Sequence, residues 1–351
     1  MNTPQRCAAS WLSALCAGLL CLSVAAGPAP ARAQGAPPPE ARAAPPALQR
    51  YSAFVQPPKH RVVLNNLLGL RLNPQGVEDQ MRLGYQYRLS DRRELLFRDT
   101  FFFVGVAPRL NPAFIKIGPS IEIQPLTIFN LRVTAEYMGF FSTFGFLQSF
   151  QSPVDNYSDP VLKEGQDARR NYKAGGAHVV IEPTLQLRLG PFALRNRFSA
   201  EYWYFNLRDG DRVFYEVTLD TALSRSGWVL SNDLDLLLLT RFGLSAGVRY
   251  SLVQPLYGDG DFRATDDRGA ARNGHHRVGP IVAYTFFDHG YTRFNRPTLL
   301  LIANWYVSHR FRTGAETSTI LPGVTVNSQA MPYVVLAFTF QSDLLGGATP
   351  R

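Results

Sequence analysis

Ile115-Lys116-Ile117-Gly118-Pro119-Ser120-Ile121-Glu122-Ile123 alternates residue by residue. Odd positions are apolar or Pro, and even positions are polar or Gly. Side chains alternate between the two faces of a strand, so this stretch is a strand with one apolar and one polar face. The pattern recurs. Leu131, Val133, Ala135, Tyr137 and Gly139 alternate with Arg132, Thr134, Glu136 and Met138. Val179, Ile181, Leu185, Leu187 and Leu189 oppose Glu182, Thr184, Gln186 and Arg188. Leu244, Ala246, Val248, Tyr250 and Leu252 oppose Ser245, Gly247, Arg249 and Ser251. No segment carries a convincing 3.6-residue period, so the chain reads as all-β.

These segments are long. Soluble strands mostly run about 5–6 residues, whereas a tilted membrane-spanning strand needs about 9–11. Strands are expected near 61–72, 78–90, 96–107, 113–124, 130–142, 178–189, 192–205, 228–240, 243–254, 277–287, 298–309 and 332–341. That makes twelve, an even number as a closed bacterial barrel requires. The stretch 213–223 resembles a thirteenth. Loop parity assigns it to a loop, because the long connections at 145–176, 206–227, 257–275 and 310–331 then share one end. The short connections at Gly190-Pro191, Arg241-Phe242, Pro125 and 288–297 share the other.

The 351 residues hold 36 Lys+Arg, 27 Asp+Glu and 46% hydrophobic residues. That apolar content excludes wholesale disorder. After residue 30 no apolar run approaches the roughly 18 residues of a helical span. All three cysteines (Cys7, Cys16, Cys21) precede residue 25, so no disulfide or thiolate metal site is available to the rest of the chain. The start reads as a secretory signal: Arg6 supplies positive charge, Trp11 to Ala26 the apolar segment, and Ala31-Arg32-Ala33 the cleavage site. Residues 1–33 are therefore expected to be removed, leaving a net charge of about +7. The basic residues are scattered, which argues against nucleic-acid binding. Residues 34–59, rich in Pro and Ala, read as a flexible periplasmic linker and a possible contact for a periplasmic partner. The barrel is assigned to 60–341 and a tail to 342–351.

Alternation alone does not say which face is inside. Strand length, alternating loop length and 12% aromatic residues favour an apolar face turned to lipid. Aromatics gather near strand ends (Phe141, Tyr202, Tyr204, Trp228, Tyr250, Trp305), and the last strand ends Phe338-Thr-Phe340. In these features residues 60–341 resemble Gram-negative outer-membrane β-barrel proteins. The resemblance is to an architecture, and Gln341 to Arg351 depart from it, since the closing aromatic is normally terminal. It implies residence in the bacterial outer membrane. It also implies contact with outer-membrane lipid and lipopolysaccharide, and recognition by the barrel-assembly machinery during insertion. A soluble sandwich or lipocalin-like barrel is the rival fold.

With the apolar face outward, the lumen receives Arg82, Arg88, Lys116, Arg132, Arg188, Arg195, Arg197 and Arg249. It also receives Glu122, Glu136, Glu182, Glu201, Asp233 and Asp235. Glu201 and Asp233 or Asp235 are expected beside Arg197 and Arg249, and Glu136 beside Arg132. These charges form either a hydrated wall of ion pairs or a selectivity filter. Arg88, Arg132, Arg188 and Arg195 sit at the expected periplasmic mouth and would favour anions. The loop 145–176 reads first as a mobile surface loop, and second as a segment folded inward.

Other motifs carry less. Gly243-Leu-Ser245-Ala-Gly247 matches a nucleophile elbow but lies in an alternating strand with no helix after it. Ser308 and His309 are neighbours on a strand, so they point apart. Asp259, Asp261, Asp266 and Asp267 read as a solvated acidic loop. His275, His276, Arg169, Arg170 and Arg277 read as loop residues or contacts to lipid phosphate. The expected function is diffusion of small polar or ionic solutes, with no catalytic residue, cofactor or metal. A closed barrel that anchors an envelope complex is the alternative, and a barrel hydrolase the second.

Overall fold

The computed structural model describes residues 56–141, 147–313 and 331–346. The assigned signal and most of the assigned linker lie outside them. The strands are β1 (His60–Leu72), β2 (Gly76–Arg88), β3 (Phe101–Val106), β4 (Arg109–Asn111), β5 (Phe114–Ile117), β6 (Pro119–Leu126) and β7 (Phe129–Phe140). After a loop come the two-residue β8 (Ser149–Phe150) and helix α1 (Asp159–Asp167). Then follow β9 (Ala174–Leu189), β10 (Phe192–Phe205), β11 (Val213–Glu216), β12 (Thr221–Ser224), β13 (Ser226–Leu239), β14 (Leu244–Pro255), β15 (His275–Thr285), β16 (Asn295–Ser308) and β17 (Tyr333–Asp343).

One antiparallel sheet closes on itself, because β1 pairs with both β2 and β17. β3 with β4, and β5 with β6, are single crossings broken at Ala107-Pro108 and Gly118, so the wall crosses twelve times. Pro108 has no N–H to give the ladder, and its carbonyl accepts from Met81 N instead. A Cβ at Gly118 would stand 2.0 Å from the Ala135 carbonyl oxygen, so only glycine fits that crossing. Gly190 opens the two-residue turn between β9 and β10 with φ +59°. The closing seam is tied by Arg61 and Asp343, both buried, at 2.7 Å. β17 thus runs past Phe340 and includes the first two residues assigned to the tail.

The strand count matches the alternation, with some boundaries moved. Residues 96–100 are turn rather than strand, and the third crossing starts at Phe101. The segment 213–223 is a loop segment, and it pairs internally: β8, β11 and β12 form a separate three-stranded sheet. The long connections lie together at one end of the barrel, here the loop end. That end also has two short turns, at 73–75 and 112–113.

The outer surface is apolar. In β13, Leu236 is 57% exposed and the adjacent Asp235 is 1% exposed. The same alternation exposes Leu68, Val104, Ile121, Val133, Leu187, Val248, Val282, Leu301 and Leu336 around the barrel. Tyr137, Tyr204, Trp228, Tyr250 and Trp305 border this belt at the loop end. Phe192, Phe242, Phe286 and Phe338 border it at the opposite, turn end. Water would leave this belt unstable, whereas hydrocarbon suits it. Among the described residues no helix is long and apolar enough to cross a membrane; the crossings are strands.

Candidate functional site: the lumen and its plug

Every charged residue assigned to the lumen lies on the interior-facing parity of its strand. Their partners differ from expectation in two places. Arg132 and Glu136 are four residues apart on β7, about 13 Å along the strand, and do not meet. Arg132 instead binds Glu122 (3.2 Å) and Glu182 (3.0 Å) on the neighbouring strands. Arg197 and Arg249 pair with Asp233 and Asp235 but not with Glu201, which His178 takes instead.

The charges form three levels. Near the turn end Arg88 pairs with Asp91 at 2.5 Å, and Arg188 donates to the Gly190 carbonyl at 3.1 Å. In the middle Glu122 holds both Arg82 and Arg132 and accepts from Asn130 at 2.8 Å. Across the lumen Asp235 accepts from Arg195 (2.6 Å) and Arg249 (2.6 Å), while Asp233 accepts from Arg197 (2.6 Å) and Ser251 (2.6 Å). Three of the four arginines expected to make an anion-favouring mouth are therefore engaged by carboxylates. Toward the loop end His178 stands between Glu136 (2.8 Å) and Glu201 (2.9 Å), stacked on Trp203 at 3.7 Å. Lys116 lies 4.7 Å from the Trp203 ring centroid, a cation–π distance.

Above this level the lumen is filled by its own loops. Val213, Phe214, Tyr215, Ala222 and Leu223 of the small sheet are buried against Phe114, Phe140, Trp203 and Phe205 of the wall. Phe214 contacts Phe205 (5.0 Å) and Trp203 (5.9 Å) between ring centroids. The first loop joins them through Leu147, Phe150 and Tyr157, and the last through Phe311. The expectation of a mobile surface loop at 145–176 is thus corrected for its described part. Its apolar side chains are buried in the barrel mouth, which a solvated loop would not permit. Asp259, Asp266 and Asp267 bind their own loop's arginines or backbone, and Asp261 accepts from Ser224 at 2.7 Å.

A polar clasp holds the plug. Asp220, at its tip, receives Arg312 Nε at 2.5 Å and Nη2 at 2.9 Å, Tyr306 Oη at 2.5 Å and Tyr215 Oη at 2.6 Å. Arg312 also reaches Asp159 at the start of α1 (3.0 Å) and the Asn73 amide oxygen (2.7 Å). Burial alone would raise the Asp220 pKa. The Arg312 charge and its hydrogen bonds outweigh it and hold the carboxyl far below the usual range. Burial pushes His309 down, so its ring is neutral at pH 7. A small void of about 10 Å³ beside the clasp is lined by Asp220, His309, Arg312, Tyr157 and Ser158.

The remaining sequence motifs resolve simply. Ser245 lies within β14 with no helix after it. Ser308 is exposed and His309 buried, pointing apart. His276 faces outward onto Tyr250, while His275 is buried and its Nε2 donates to the Leu219 carbonyl (2.7 Å). Arg277, expected as a loop residue or a contact to lipid phosphate, is instead inside: it has the parity of His275. Sequence reading missed His178, Asp220 and Arg312. The parity shared by His178 and Glu182 was the available clue for one of them.

A closed sheet with an apolar belt, aromatic borders and a charged interior defines a bacterial outer-membrane β-barrel protein, and the chain resides in that membrane. No family model matches the chain, and no curated protein does. Solved barrels do resemble it. A KdgM porin shares 7% identity over 81% of this chain and 99% of its own, with TM-score 0.35. LpxR from Salmonella typhimurium shares 12% over 80% and 100%, with TM-score 0.33. The Pseudomonas putida (P. putida) toluene transporter TodX shares 9% over 82% and 91%, with TM-score 0.33. Likeness this distant is likeness of barrel form and carries nothing about function.

Proposed function

We propose that the chain is a channel for small polar or ionic solutes, closed at the loop end by its own loops. One observation supports this reading above the others: a continuous charged column runs from the turn-end mouth to the plug. A barrel serving only as an anchor gains nothing from such a column, since buried ion pairs stabilise little beyond well-packed apolar residues. Water and solute give the column a use. The side chains of Arg195 and Arg197 are each 45% exposed, so the turn-end vestibule is open to solvent. The plug is attached by aromatic packing, hydrogen bonds and ion pairs rather than by the barrel ladder, which permits displacement without unfolding the wall. Passage rather than catalysis is the activity proposed.

A second reading, a permanently closed barrel that holds an envelope partner, is favoured by the aromatic packing of the plug. Liposome swelling separates the two. Refolded protein should admit small ions and polar solutes and exclude larger sugars. Liposomes that stay impermeable to every solute, with the protein demonstrably inserted, would leave the anchor.

A further inference from the structure

Arg277 is an unusual buried cation. It projects from the interior face of β15 near the loop end and is 7% exposed. Its guanidinium lies 4.0 Å from the ring centroid of Tyr333 on β17 and 5.7 Å from that of Tyr306, its cross-strand partner on β16. The rings cover its surroundings but offer it no acceptor. Its Nε and Nη1 are buried with no hydrogen-bond partner among the described residues. A guanidinium carries five donors and a fixed charge, so burial in this state is costly unless an anion meets it.

The nearby carboxylates are engaged elsewhere. Asp233 is bound by Arg197, Arg249 and Ser251, and Asp220 by Arg312, Tyr306 and Tyr215. Beside Arg277 on the wall, Asn304 is 1% exposed and its Oδ1 also lacks a partner. Turned over, that amide presents two N–H donors to the same space. Beyond Tyr333, Arg71 on β1 has a buried Nε without an acceptor. Glu78 and Glu216 act on Arg71 electrostatically; neither forms an ion pair with it, and Glu216 Oε1 is itself buried without a partner. The three unpartnered guanidinium donors, Arg277 Nε and Nη1 and Arg71 Nε, still outnumber that one free carboxylate oxygen.

We propose that Arg277, with Asn304 and Tyr333 beside it, is a binding site for a small oxyanion, a carboxylate or a phosphate, on the lumen wall beneath the plug. The oxyanion accepts from Nε and Nη1 and from the Asn304 amide, and the Tyr333 ring keeps the guanidinium in place. The site gives the proposed channel a solute class and rests on that reading for its purpose, although binding does not require conduction.

The test is calorimetric titration of the refolded full chain in detergent with sodium acetate and, separately, inorganic phosphate at constant ionic strength. Saturable binding is expected for at least one probe. Acetate alone identifies a carboxylate site, phosphate alone a phosphate site, and both a general oxyanion site. Arg277→Gln should weaken binding at least tenfold, and Asn304→Leu severalfold. Arg93→Gln, at an exposed loop position, should leave it unchanged. If Arg277→Gln fails to fold, as judged by heat-modifiable gel mobility, Arg277→Lys decides: it keeps the charge but loses the donor geometry, and should still weaken binding. No saturable heat with either probe overturns the site, as does unchanged affinity in the Arg277 variants. Binding without conductance would sink the channel reading and spare the site; conductance without binding would do the reverse.

Discussion

Arg312 and Asp220 meet in a two-point contact, with Nε to Oδ2 at 2.5 Å and Nη2 to Oδ1 at 2.9 Å, although 92 residues separate them. Both side chains are nearly inaccessible to solvent. Arg312 follows the eleventh crossing of the wall, while Asp220 is the tip of the plug. The contact therefore fixes a loop segment to the barrel itself, and Asp159 and Asn73 draw α1 and the first hairpin to the same guanidinium.

Breaking that contact should loosen the plug and leave the wall intact. Removing one partner of a buried, hydrogen-bonded pair costs about 3–5 kcal/mol, because the other charge is left uncompensated. Arg312→Gln should make the segment 206–225 sensitive to trypsin under conditions where the native chain resists. The barrel should keep its heat-modifiable gel mobility. Equal resistance in both proteins would show that the aromatic contacts alone hold the plug.

Acid should favour the released plug through His309. Burial holds the His309 pKa below its ordinary value in the closed form. Once exposed, the ring returns to about 6.5. The released form therefore binds the proton more readily, and closure weakens as pH falls through that value toward the closed-form pKa. Asp220 opposes no part of this in the same window. Its depressed pKa supplies stability that is fully present above about pH 4 and is lost only in stronger acid. Trypsin sensitivity of 206–225 should rise between pH 7.5 and 5.5. His309→Gln should flatten that dependence; an unchanged profile would assign it to another group.

Glu122 compensates two arginines at once, Arg82 and Arg132. Glu122→Gln should release positive charge into the middle of the lumen and shift selectivity toward anions. The reversal potential in a salt gradient reads this directly. The converse change, Arg132 and Arg188 both to Glu, should move it toward cations. A reversal potential indifferent to both would remove these residues from the conduction path.

Two amides on the lipid face should behave as a unit. Asn196 and Asn232 have outward parity in β10 and β13 and donate to each other at 3.0 and 3.1 Å. Replacing either by Leu leaves the other amide unpaired in hydrocarbon and should cost about 1 kcal/mol. Replacing both should recover most of that loss. Thermal midpoints of the folded band for the two single variants and the double variant provide the cycle. Strict additivity would mean that the pair contributes nothing as a pair.

The wall was legible because one physical period governs it. Ile115 to Ile123 already separate into the face that meets lipid and the face that meets charge, and the parity carries through each crossing. Parity also placed the lumen charges, but it could not choose their partners. Register between strands sets those, which is why Glu122 rather than Glu136 meets Arg132. The plug was less legible. Val213 to Leu223 have strand-like composition, and loop parity removed them from the wall without indicating that they fill it. Arg277 was misplaced for a related reason: β15 begins at His275, two residues before the expected start, so a wall residue was read as a loop or lipid-phosphate contact at the strand's edge. Asp220 and Arg312 lie in connections without periodicity, where no local pattern announces a long-range contact.

Single-channel current in a planar bilayer tests the central claim most directly, with the native chain and Arg312→Gln measured side by side. The native chain should give discrete steps that are small or infrequent. Arg312→Gln should give larger or longer steps, because the path beneath the plug is polar and continuous. Stable insertion of both proteins with no steps from either would contradict it, and the column of paired charges would then be the interior of a closed barrel.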